Sequence, residues 1–234
     1  MVDNHAVSTE DLREEEIESR YEATIAVGLV IGLQVTLALV SLGGGWTLIG
    51  LPGWVWLIAV IPEAALLLLL AWSVPRQRLE QMGKRRTVAL ALVGVITAAN
   101  ALALAALIGS LLSGHEKNGG ELLLKGATIW GTNVVTFGLL FWEFDRGGPI
   151  RRSRPDPPHR DFQFPQDENP TLAEPGWSPR LADYVYVSFT NAIAFSPTDA
   201  MPLTRRVKMM MLTESAISAT TVLLVAARAV NILH

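Results

Sequence analysis

The chain has 234 residues, half of them hydrophobic, only 18% charged, and a mean hydropathy of +0.33. A soluble domain of this length carries more charge, so the composition excludes an ordinary water-soluble fold. The net charge of −3 says little, and the absence of cysteine excludes disulfides, thiol catalysis and cysteine metal sites.

Residues 1–22 are acidic, with the run Asp11-Leu-Arg-Glu-Glu-Glu-Ile-Glu-Ser-Arg20, the opposite of a signal peptide's basic start. Ser8 and Asp11 stand at capping-box spacing, which predicts a charged helix over 9–22. Apolar blocks follow, each near the ~20 residues that span a bilayer core as a helix. They run from Ala23 to Leu42, Trp54 to Val74, Thr87 to Leu112, Leu122 to Phe144 and Val207 to Leu233. The fourth is the weakest, and it closes on the turn-forming Gly147-Gly148-Pro149. The expected fold is an all-α membrane protein: a four-helix bundle over 23–145, a proline-rich extra-membrane loop over 146–182, and a final unit over 183–234. Within the loop, Phe162, Phe164 and Trp177 are too apolar for a free linker and should dock on the protein or at lipid headgroups.

The stretch from Asp183 to Thr204 is aromatic, rich in hydroxyls and too short to cross. With Asp183 as N-cap and Pro197 as breaker it predicts a short helix and a tight loop that enter the membrane and leave on the same side. Such backbone is tolerated only where protein or water surrounds it, so it marks a candidate functional site. Lys and Arg set the orientation. A cytoplasmic N-terminus puts all but Lys117, Lys125 and Arg228 of the 19 basic residues inside. The expected location is the plasma membrane, with five crossings.

Ionisable and polar groups within spans are functional candidates. Glu63 follows Pro62 in mid-span and would either lock two helices or line a hydrated crevice. Asn100 and Asn133 read as interhelical hydrogen-bonding groups, and Gly28/Gly32 and Ala98/Ala101/Ala105/Gly109 as small-residue packing faces. Glu214, Ser218, Thr221, Val225 and Arg228 share one face of the last span, either a conduction path or the seam against the fourth helix. Glu143 and Asp145 end that fourth helix, where pairing with Arg146 or a loop arginine is expected.

Tyr186-Val-Ser-Phe-Thr190, followed by Asp199 and Pro202-Leu-Thr204, resembles the pore segment of tetrameric cation channels, over the stretch from Asp183 to the C-terminus. The potassium filter is absent, since Ala194-Phe-Ser-Pro-Thr198 stands in its place and Pro197 restricts the backbone. The charge count also puts this segment on the cytoplasmic side, where such channels do not carry their filter. Trp142-Glu-Phe-Asp-Arg-Gly-Gly-Pro149, Asp161-Phe-Gln-Phe-Pro-Gln166, Phe189-Thr-Asn-Ala192, Phe195-Ser-Pro-Thr-Asp199 and Ala227-Arg-Ala-Val-Asn-Ile-Leu233 resemble a family of uncharacterised bacterial integral membrane proteins. That resemblance implies a class and no mechanism.

Two functions follow. In a channel-like protein Ser188, Thr190, Asn191, Ser196, Thr198 and Asp199 would supply oxygen ligands, with Asp199 favouring cations and a homotetramer expected. In a non-conducting scaffold or envelope protein the dip is a plug and the proline-rich loop binds a partner. They are told apart by whether those six side chains converge on water or are satisfied within the fold. Catalysis is not expected: the histidines at 5, 115, 159 and 234 lie outside the spans, and no serine-nucleophile turn is present. No cofactor is expected, nor nucleic-acid binding, because topology already explains the basic clusters.

Overall fold

The computed structural model describes residues 9–48, 51–71, 83–114, 118–152, 158–174, 177–196 and 199–233. The described chain is predominantly helical. Helix α1 (Thr9–Gly44) merges the acidic segment and the first span into one helix of 36 residues. Ser8 lies outside the described residues. A hairpin of two short strands, β1 (Thr47–Leu48) and β2 (Leu51–Pro52), leads through a 3-10 turn (Gly53–Leu57) into α2 (Val60–Ala71). Then come α3 (Arg85–Leu112) and α4 (Gly119–Phe144), the short helical turns Pro149–Arg152 and Pro165–Glu168, α5 (Leu181–Ala194) and α6 (Arg205–Leu233).

Four of these segments are long and apolar enough to cross a membrane: Tyr21–Gly44, Gly53–Ala71, Arg85–Leu112 and Arg205–Arg228. Helix α4 matches them in length at 26 residues but carries Thr128, Thr132, Asn133 and Thr136 along its middle. The reason lies in its place. Helices α1, α3, α5 and α6 all pack on α4, so these four side chains are buried against protein, and Asn133 bonds to α6.

The distribution of polarity is that of a protein solvated by lipid. Ile61, Leu102 and Leu223 are 73%, 71% and 68% exposed, whereas Glu63, Lys125, Asn133, Asp145, Ser188 and Glu214 are buried. Exposed apolar side chains of this density have no place in water. The chain is an integral membrane protein by this criterion and by its four apolar helices.

Close approach at α4 depends on glycine. A Cβ on Gly138 would lie 2.9 Å from the Val185 Cα, a backbone atom of α5 that cannot rotate away. At Gly126 the obstacle is the Val225 side chain of α6, at 2.6 Å. The small-residue faces expected on the first and third spans are corrected by the structure. Gly28, Gly32, Ala98, Ala101 and Ala105 are all exposed, and a Cβ on Gly28, Gly32 or Gly94 would meet nothing within 4 Å. The close contacts are made by α4 instead. Gly138→Ala should therefore destabilise the purified protein by about 1–3 kcal/mol, while Gly28→Ala should be close to neutral. Denaturant titration followed by tryptophan fluorescence checks this, and equal stability of the two variants would contradict the packing described.

Candidate functional site

Helix α5 starts two residues before Asp183. Its N-cap is Arg180, whose N–H donates to Asp183 Oδ2 at 2.7 Å, so Asp183 sits in the first turn and is not the N-cap. The Leu181 N–H donates to Glu22 of α1 at 3.0 Å. The helix runs for 14 residues, about 21 Å, and stops where Phe195 takes the left-handed conformation with φ of 55°. Pro197 and Thr198 lie outside the described residues.

Two faces of α5 differ sharply. Tyr186, Phe189 and Ile193, at spacings of three and four, are exposed. Ser188 and Asn191 point into the bundle, where both meet Glu214 of α6. Asn191 Nδ2 donates to Glu214 Oε2 at 2.6 Å and to the Met211 carbonyl at 3.0 Å. The Ser188 hydroxyl lies against Glu214 Oε1 and 2.6 Å from the Val134 carbonyl of α4. Asn133 closes the cluster from α4, donating to Ser218 Oγ at 2.9 Å and to the Glu214 carbonyl at 3.2 Å. All five side chains are buried.

The remaining filter candidates do not join them. Thr190 is half-buried and its hydroxyl returns to its own helix, 3.0 Å from the carbonyls of Tyr186 and Val187. Ser196 and Asp199 are exposed. The expected convergence of oxygen ligands is therefore not present among the described residues. The polar face of α6 is the seam against α4 and α5: Glu214, Ser218 and Thr221 are buried, and Thr221 bonds its own Ile217 carbonyl.

A second polar cluster closes one end of the bundle. Asp145, fully buried, accepts from the N–H groups of Asp161 and Phe162 at 2.8 and 3.2 Å and from the Tyr184 hydroxyl at 2.6 Å. Arg146 and Arg152 stand 3.7 and 3.8 Å from the same carboxylate. Arg152 also donates to the Trp142 carbonyl and to Tyr184, and its guanidinium lies over the Tyr184 ring at 5.1 Å. Burial raises the Tyr184 pKa, Arg152 opposes that and Asp145 adds to it, so the phenol stays a donor. Glu143 pairs with Arg86 of α3 at 3.7 Å, while Asp145 has the expected Arg146 and the loop's Arg152 beside it.

From Asp145 the loop folds back as a cap. Strands β3 (Phe162–Gln163) and β4 (Met201–Pro202) pair antiparallel. Asp161 holds Arg206 at 2.8 Å and Thr204 at 2.7 Å. Phe162, Phe164, Trp177 and Tyr184 stack edge to face with centroids 5.4–5.9 Å apart. The three loop aromatics thus dock on the protein, as their apolarity demands. Sequence reasoning missed Asp161, Arg152 and Tyr184. The pairing of each with a residue far along the chain leaves no local signal.

Glu63 is buried and accepts from Gln34 Nε2 of α1 at 3.2 Å, a bond between two helices. Asn100, expected between helices, lines a cavity instead. Among the described residues, no group of His, Cys, Asp or Glu could hold a metal ion. Compared with protein-family models, curated proteins and solved structures, the chain matches none.

Glu214→Ala should remove the acceptor that two buried donors share and leave a gap between three helices, destabilising the protein by about 2–4 kcal/mol, with Glu214→Gln costing less. Unfolding of the purified variants measures both, and wild-type stability in Glu214→Ala would remove the cluster from its structural role.

Proposed function

We propose that the protein is a non-conducting scaffold of the plasma membrane that crosses five times with its N-terminus in the cytoplasm. Helix α5 is a re-entrant plug, and the cap built on Asp145 is the surface offered to a cytoplasmic partner. The observation that carries this reading is that Ser188 and Asn191 direct their polar atoms at Glu214, inside the fold. Side chains committed in this way are not lining a water path, and selectivity requires ligands that face the permeant ion. The exposed apolar face of α5 suits lipid or a neighbouring apolar surface. The fifth crossing is α4, long enough by itself and shielded by its neighbours.

Orientation rests on the basic residues at the capped end. Lys84, Arg151, Arg205 and Lys208 are exposed there, where anionic headgroups of the cytoplasmic leaflet would meet them. With no native cysteine to interfere, single replacements can report on sidedness. Lys84→Cys and Thr171→Cys should resist a membrane-impermeant thiol reagent in intact cells, and Ser113→Cys should react. The reverse pattern would invert the topology.

Conduction is tested directly. Purified protein in liposomes should pass no more monovalent cation than empty liposomes, and Asp199→Asn should change nothing. Flux above the empty control that falls in Asp199→Asn would restore the channel reading in place of this one.

A further inference from the structure

Helices α3 and α6 both begin at the capped end of the bundle, beside the end of α4, and they also touch each other. Their first turns are basic and carry no acid. Lys84 stands at the N-cap of α3, followed by Arg85 and Arg86, and α6 opens with Arg205, Arg206 and Lys208. Two of these cations are fixed to α4. Arg86 donates to the Glu143 carbonyl at 3.3 Å, and Arg206 to the Phe144 carbonyl at 3.4 Å, with its guanidinium 4.7 Å from the centre of the Phe144 ring. Successive carbonyls of a helix are close in space, so the two guanidinium groups lie within about 10 Å of each other. Both side chains stay partly open, 44% and 49% exposed.

The protein does not balance the charge gathered here. Glu143 and Asp161 are buried, and each faces one of those arginines. Lys84, Arg205 and Lys208 are exposed, and their side chains have no hydrogen-bond or ion-pair partner among the described residues. Asp199, exposed in the segment before α6, is one further carboxylate against them. Like charges crowded at the positive ends of two helix dipoles repel one another, and an anion relieves that repulsion. Sidedness alone would be satisfied by basic residues spread over this end. It does not require them to converge on the end of one helix.

The adjoining surface shows what carries the anion. Arg205, Lys208, Met209 and Leu212 recur at spacings of three, one and three, so they form one stripe along α6. Met209 and Leu212 are each 60% exposed. Within two turns, about 10 Å, the stripe passes from two unpaired cations to an apolar wall, the order in which a lipid presents its headgroup and its chain. We propose that the starts of α3 and α6 form a binding site for an anionic phospholipid. Lys84, Arg205 and Lys208 hold its phosphate beside Arg86 and Arg206, and a chain lies on Met209 and Leu212. Basic groups between helices at the headgroup level are suited to such lipids. With six cations against three carboxylates, two of them buried and taken, the site favours a lipid of net negative charge over a zwitterionic one. It depends neither on which leaflet this end lies in nor on whether the protein conducts ions.

The test is a titration of dioleoylphosphatidylglycerol into the full-length protein, delipidated in an uncharged detergent, with the thermal midpoint read from tryptophan emission. A saturable rise is expected, because a ligand of the native state stabilises it. Dioleoylphosphatidylcholine and inorganic phosphate over the same range should give none. The triple variant Lys84→Gln/Arg205→Gln/Lys208→Gln should need about tenfold more phosphatidylglycerol for the same rise. The triple variant Arg151→Gln/Arg160→Gln/Arg180→Gln removes as much charge from the same end and should titrate like the wild type. No saturable rise in the wild type, an equal rise with phosphatidylcholine, a rise with inorganic phosphate alone, or equal titration of the two triple variants would each overturn the proposal.

Discussion

The structure depends on one contact among three helices, the Glu214 carboxyl of α6 with Ser188 and Asn191 of α5 and, through its carbonyl and Ser218, Asn133 of α4. In lipid the hydrophobic effect does not drive helices together, because the solvent is as apolar as the side chains. Packing of small residues and buried hydrogen bonds must supply specificity instead. A helix of 14 residues cannot hold its own place by spanning. It is held by Gly138, which lets it approach α4, and by Glu214, which fixes its rotation. Turning α5 by half a turn would put Ser188 and Asn191 into lipid and Phe189 into the core.

The cap repeats the same logic with charge. Asp145 stands at the end of α4, with two arginines, two backbone N–H groups and a phenol arranged around it. A buried carboxylate is tolerable only with such company. The consequence is that a proline-rich segment, extended by composition, is organised around a fixed point. Phe162 and Phe164 then cover Tyr184, and Asp161 reaches the first turn of α6 through Arg206. The cap therefore ties the start of α6 to the end of α4, and both of those helices also hold the Glu214 cluster.

Much of this was legible in the sequence, for physical reasons that also mark where legibility stopped. A lipid-facing helix must be apolar over about 20 residues, so of the five spans read from the sequence four are long and apolar enough in the structure, each starting within two residues of the expected position. Helix α4 was the weakest span because a central helix is released from that demand. Ser188, Asn191 and Glu214 were recognisable as out of place in lipid, but a polar side chain three residues from another looks the same whether it faces water or a carboxyl. The choice between path and seam needed the partner helix. The Gly28 and Gly32 step misled for a related reason: small spacing on one helix says that close approach is allowed, not that a neighbour takes it. Gln34 gave no signal at all, being a single polar residue whose bond to Glu63 shows only once the two helices are side by side.

The cavity between α1, α2, α3 and α4 originates where the bundle departs from regular packing. The second apolar segment enters as a 3-10 turn, with Gly53 so close to Ser41 that a Cβ would lie 2.6 Å from the Ser41 Cβ. It becomes α-helical only from Val60, with Pro62 in the first turn, where its missing N–H costs nothing. A segment that is tight against α1 at Gly53 and irregular up to Val60 does not lie flush along α3 and α4. The space it leaves is bounded by the small side chains Ala98, Ala99, Ala103 and Ala106 of α3. Larger residues at those positions would have filled it at no cost in lipid. Their small size keeps the gap open where that segment stands off from α3.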